Sequence, residues 1–126
     1  MKLAKRTESH FRDTPEGMVL VANRSAPGAE LQFPPSEFIH GDAVPQEVVI
    51  GPVGALYTYS IVHVARDSGP YGLAMVDFEP GVRVFGRMLY TPGQEPALGS
   101  AMKVVPFTLP DGVADYAFQA VQVAAP

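Results

Sequence analysis

From residue 46 onward, short runs of alternating apolar and polar positions are each closed by a turn signal. Residues 47–50 end in Gly51-Pro52, and 55–64 run into Arg66-Asp67-Ser68-Gly69-Pro70. Residues 71–78 end in Glu79-Pro80-Gly81, 82–90 in Thr91-Pro92-Gly93 and 102–107 in Pro110-Asp111-Gly112, and a last run covers 116–123. Apolar-rich runs of this length bounded by Gly, Pro and Asp predict strands. Within 55–64 the period of two puts Tyr57, Tyr59, Ile61 and His63 on one face and Leu56, Thr58, Ser60, Val62 and Val64 on the other. Within 82–90, Val82, Val84, Gly86 and Met88 oppose Arg83, Phe85, Arg87 and Leu89. Five or six such strands, with little room for helices, predict an all-β barrel or sandwich. Gly86 favours the barrel, because a mid-strand glycine costs stability and marks a bulge or sharp coil through which a small sheet closes.

The preceding third of the chain lacks this rhythm. Residues 1–17 read as a charged arm with a short helix expected over 8–13, which Pro15 and Gly17 would close. Residues 18–22 are an apolar run that we read as a strand. Between 23 and 46, Pro27, Gly28, Pro34, Pro35, Gly41 and Pro45 interrupt every candidate element, while Leu31, Phe33, Phe38 and Ile39 stay apolar. A stretch this irregular needs hydrophobic anchoring, against the main domain or against a partner. The pattern thus divides the chain into 1–17, 18–46 and 47–126.

Composition narrows the class. The 126 residues are 47% apolar and 17% charged, which fits one folded domain with a modest core and excludes a disordered chain. Thirteen prolines and twelve glycines reinforce the reading of many short strands. The net charge of -4 offers no general attraction to phosphate backbones or anionic membranes. There is no cysteine, so neither a disulfide framework nor a thiolate zinc site can form. No stretch approaches the ~20 apolar residues that span a bilayer, and the polar start of the chain has no signal-peptide core, so a cytoplasmic location is expected.

The series Gly54-Ala55-Leu56-Tyr57-Thr58-Tyr59-Ser60-Ile61-Val62-His63, followed by Pro70-Tyr71 and by Val76-Asp77-Phe78-Glu79-Pro80-Gly81-Val82-Arg83-Val84, resembles the acyl-CoA-associated OB-fold family, once described as a domain of unknown function. Gly99 before Lys103-Val104-Val105 and the later Tyr116-Ala117-Phe118 fit the same order, so the resemblance covers about residues 47–122. It implies a five- to six-stranded OB-fold barrel preceded by a rubredoxin-like zinc ribbon. In that family the ribbon places two C-x-x-C pairs around an apolar stretch containing Phe-Pro-Pro. Here Leu31-Gln32-Phe33-Pro34-Pro35 looks like the central stretch, and the four ligand positions fall on Ser25, Gly28, Ile39 and Asp42. One carboxylate with His40 nearby does not make a four-coordinate zinc site. The resemblance therefore implies a degenerate, metal-free ribbon over 18–46. It also implies an accessory role beside a thiolase, an acyltransferase of the thiolase superfamily or a thiolase-like aldolase acting on acyl-CoA. The partner would carry the chemistry, and this chain would hold no tightly bound cofactor while being able to touch a CoA thioester.

The residues offer no chemistry of their own to set against that. There is no G-x-S-x-G elbow, no Walker A motif and no G-x-G-x-x-G turn, and the three histidines at 10, 40 and 63 share no metal-site spacing. An independent acyl-CoA hydrolase would need a positioned nucleophile and base, and none is visible. His63 could bind a thioester or pantetheine group alongside Tyr59, or be a partly buried histidine satisfied within the barrel. Tyr59 and Tyr71 carry the same choice between a ligand surface and core packing. Phe33, Pro34 and Pro35 could dock a partner or pack internally. Arg83 and Arg87, on one strand face, could meet CoA phosphates or partner carboxylates, or simply be solvated. OB-folds as a class also bind single-stranded nucleic acid, which is the rival reading. Residues 47–126 carry four basic side chains, Arg66, Arg83, Arg87 and Lys103, against seven acids, which disfavours it.

Overall fold

A computed structural model describes residues 10–24, 30–35, 46–63, 70–79 and 81–121. The described residues form eight strands in one sheet: β1 (Phe11–Thr14), β2 (Gly17–Arg24), β3 (Gln46–Ile50), β4 (Val53–Val62), β5 (Tyr71–Phe78), β6 (Val82–Leu89), β7 (Ala101–Thr108) and β8 (Ala114–Ala120). No helix occurs among the described residues.

Five strands close into a ring. β4 pairs with β5, β5 with β6, β6 with β8, β8 with β7, and β7 with β4. Every contact is antiparallel except β6–β8, which is parallel. This is the five-stranded Greek-key barrel of the OB-fold. β4 serves both edges of the closure: Val53, Gly54 and Ala55 face Lys103, Met102 and Ala101 of β7, and the remainder of the strand runs along β5. Gly54 makes the crossing possible, since a Cβ there would lie 2.6 Å from the Asp77 carbonyl oxygen and 2.7 Å from Val76 Cγ1.

The three earlier strands form a meander on the outside of the ring. β2 pairs with β1 through Phe11↔Leu20 to Thr14↔Gly17, with β3 through Leu20↔Ile50 to Arg24↔Gln46, and with β7 at Met18↔Val104. The helix expected over 8–13 is not formed where it can be seen: Phe11 to Asp13 are strand, and Pro15 and Glu16 make the turn of a hairpin instead of a helix end. Phe11 packs against the core and Arg12 bonds Glu47 of β3 at 2.9 Å, so strand pairing prevails over local helix preference. The apolar run expected as a strand at 18–22 extends to Arg24 and is buried throughout its middle. The strand at 47–50 pairs along its whole length with β2 and lies outside the ring, so the hydrogen bonding groups it with residues 18–24.

One core holds ring and meander together. Met18, Leu20 and Ala22 of β2 and Ile50 of β3 share a single buried cluster with Val76, Val84, Met88, Met102, Val104 and Phe118 of the ring. Gly86 does not mark a bulge: β5 and β6 pair without a register shift from Gly72↔Met88 to Phe78↔Val82. Its role is close packing, because a Cβ would lie 2.8 Å from Tyr116 Cε2 and 2.9 Å from Phe118 Cε2.

Candidate docking face of the barrel

Alternation along β5 and β6 separates two faces cleanly. Gly72, Ala74, Val76 and Phe78 are buried, as are Val82, Val84 and Met88, while Met75, Arg83 and Phe85 are exposed. On the outer face the register sets Leu73 beside Arg87, Met75 beside Phe85 and Asp77 beside Arg83.

β4 joins this face through a bulge. Leu56 pairs with Val76 but Thr58 pairs with Met75, so Tyr57 is the extra residue and the phase of the strand changes across it. This corrects the faces read from simple alternation. Leu56, Tyr59 and Ile61 contact the core together, whereas Tyr57 is exposed on the outside with Thr58 and Ser60. The result is an apolar strip in which Tyr57 is 50% exposed, Met75 37% and Phe85 56%.

Two arginines of β6 flank the strip, and each is pinned differently. Arg83 donates from Nε to Asp77 Oδ1 at 2.6 Å and from the guanidinium to Oδ2 at 3.2 Å. Its guanidinium carbon lies 3.3 Å from the centre of the Tyr57 ring. The Asp77 hydrogen bond holds the guanidinium above its ordinary pKa, so it is charged at every practical pH and cancelled by its neighbour. Arg87 lies over two rings, with its guanidinium carbon 4.3 Å from the Tyr71 centroid and 5.1 Å from that of Phe107. No ion pair joins Arg87 to any described carboxylate.

The remaining sequence-predicted positions lie elsewhere. Phe33 is half-buried, its ring 5.7 Å from Tyr116 and 6.1 Å from His10, both edge to face. Pro34 beside it is exposed and Pro35 half-buried. Tyr59 is half-buried against the core. His63 is exposed just past the end of β4, so it is not the partly buried histidine of the barrel interior. Of the eight candidate positions, the outer face gathers Tyr71, Arg83 and Arg87. Tyr57, Met75, Phe85 and Phe107 complete it and were not singled out. The alternation Arg83-Phe85-Arg87 was the available signal for Phe85, whereas nothing in the sequence announces the bulge that turns Tyr57 outward.

Tyr116 links the barrel wall to the meander. Its hydroxyl donates to the Phe85 carbonyl at 2.8 Å, and its ring meets Phe11, Phe33 and Phe118. Burial pushes its phenol well above the usual tyrosine range, with the Asp115 charge adding to the shift.

Among the described residues, no three His, Asp or Glu side chains come together as a metal-binding group. The ribbon positions Ser25, Gly28, Ile39 and Asp42, and His40, lie outside the described residues. Their donor set does not fit structural zinc, for the whole chain has no thiolate to offer. Hollows of about 390 Å³ beside Asp77, Gly81 and Arg83 and about 300 Å³ beside Tyr90, Gln94 and Gln119 are open to solvent. No described helix is long and apolar enough to cross a membrane.

Residues 47–106 match the family described as ChsH2, C-terminal OB-fold domain. A DUF35 domain-containing scaffold protein of Methanocaldococcus jannaschii is 30% identical over 64 residues, which cover 48% of this chain and 45% of that relative. The matched segment is thus less than half the length of the curated relative. Among solved structures, a chain of the Ltp2-ChsH2(DUF35) aldolase superposes with a TM-score of 0.65 at 19% identity, covering 81% of this chain and 84% of that one. The matched residues thus support the likeness to the OB-fold DUF35 family that the sequence itself had suggested.

Proposed function

We propose that the chain is a non-catalytic accessory subunit of a thiolase-superfamily enzyme, whether thiolase, acyltransferase or thiolase-like aldolase, that acts on acyl-CoA or related acyl substrates. Its part is to help assemble or complete the active complex, in the cytoplasm and without zinc. The observation that carries this reading is the exposed strip of Tyr57, Met75 and Phe85 on the face by which OB-folds engage their ligands. Large apolar side chains are kept on a water-facing sheet at a cost in solubility, and a partner surface accounts for them. Two names support this reading: the archaeal relative is called a DUF35 domain-containing scaffold protein, which fits an accessory role, and the structural neighbour is called Ltp2-ChsH2(DUF35) aldolase, which fits an aldolase partner. The same face argues against the single-stranded nucleic acid reading, because Asp77 already cancels one of its two arginines.

The test is co-expression with the thiolase-superfamily protein encoded nearest to this chain's gene. The two are expected to co-purify, and the partner to lose activity or solubility when expressed alone. A stable monomer that leaves that protein's behaviour unchanged would sink the proposal, as would thioester turnover by this chain alone.

A further inference from the structure

The outer face of β4, β5 and β6 combines an apolar strip with one positive charge that no described side chain neutralises. Asp77 cancels Arg83 within the face. Arg87 is held over the rings of Tyr71 and Phe107, which fix the plane of its guanidinium without satisfying its charge. A guanidinium fixed in this way has lost most of its rotamer freedom before binding, so a carboxylate can take it bidentately at little further entropic cost.

We infer that this face, centred on Met75 and Phe85 with Arg87 at its margin, docks a protein surface that is apolar at its middle and presents one carboxylate opposite Arg87. The inference rests on the accessory-subunit reading and assigns its contact. Charge decides the class of occupant. A nucleic acid strand or an anionic membrane presents repeated negative charge and calls for several free cations, whereas the described residues of this face offer one in a chain of net charge -4. One carboxylate beside an apolar patch is what a folded protein partner supplies. The loop at Phe33 is not this surface, since its ring is committed to Tyr116.

The partner used in the test is the same thiolase-superfamily protein, with affinity measured by titration against the full chain. Met75→Ser combined with Phe85→Ser is expected to weaken the complex at least about tenfold. Arg87→Gln should weaken it about fivefold and remove most of the decline in affinity between low and high salt. Val113→Ser, at an exposed apolar residue in the turn between β7 and β8, should change nothing. Circular dichroism melts establish that each variant is folded. Undiminished binding by the double variant overturns the docking face while leaving the accessory role intact. Absence of binding by the unaltered chain overturns the accessory role and the face with it. Binding of a labelled single strand at physiological salt, abolished in the double variant, overturns the assignment in favour of nucleic acid.

Discussion

The ring of β4 to β8 and the meander of β1 to β3 are built on different terms. The ring closes on itself through five strand pairings, and each of its strands has hydrogen-bonded neighbours on both sides. The meander reaches the ring's ladder through Met18↔Val104, and its remaining strand pairs are internal. Yet β2 is buried from Met18 to Asn23, and Leu20, Ala22 and Ile50 are as deeply enclosed as any ring residue. The contrast shows that the shared apolar cluster, rather than the ladder, makes the two regions one folding unit. It also shows what holds β1 to β3 in place: their apolar side chains pack on the barrel core.

The sharpest way to break that comparison is Leu20→Ala. Leu20 is fully buried in the meander, and its truncation is expected to cost about 2–5 kcal/mol. If the core is shared, chemical denaturation will show a single transition displaced as a whole. Two separated transitions, with the ring unaffected, would mean that the regions fold independently.

A smaller effect tests the aromatic joint. Phe33→Ala removes a half-buried ring from Tyr116 and His10 and should cost about 1–2 kcal/mol, judged from partial burial plus an edge-to-face pair. Amide exchange should quicken in β1 and β2 before β5. Equal acceleration everywhere would show that Phe33 supports the ring as much as the meander.

The smallest effect lies at Tyr116, which belongs to the ring and bears the meander's rings. Tyr116→Phe keeps the packing and loses the bond to the Phe85 carbonyl, a change of about 1 kcal/mol at neutral pH. Alkaline titration sharpens the test. The folded phenol is raised above its ordinary value of 10.0, so its contribution is complete below that pH and is lost as pH rises toward the folded value. Stability of the unaltered chain should therefore fall above about pH 10 more steeply than that of Tyr116→Phe. Parallel curves would place the titrating group elsewhere.

Much of the ring was legible before any coordinates. The runs at 71–78 and 82–90 fall on β5 and β6, and the turn signals at Pro80-Gly81, Pro92-Gly93 and Asp111-Gly112 fall between strands. Local signals suffice there, because period-two burial and turn chemistry are properties of adjacent residues. Arg83 and Arg87 were likewise visible together, since side chains on one strand face share that face whatever the partner strand, whereas Tyr71 on β5 was visible only as an aromatic open to either surface or core. Phe11 to Thr14 was misread because the local pattern of a charged arm says nothing about Leu20 and Val19 waiting across the hairpin. Gly86 was correctly marked as special for the wrong reason: the space it leaves is filled by Tyr116 and Phe118, some thirty residues further along.

The sequence by itself determined an all-β chain of short strands, an OB-fold family likeness, and the lack of any thiolate for zinc. Only the tertiary structure decided which residues share a surface. One extra residue at Tyr57 shifts the phase of β4, sending Tyr59 toward the core and Tyr57 toward water. The pairing of Asp77 with Arg83 is set by the register between β5 and β6, and the stacking of Arg87 on Tyr71 and Phe107 by the placement of β5, β6 and β7 together. Phase along one strand can be read from the chain, but relative phase between strands is fixed by the long-range pairing that closes the barrel.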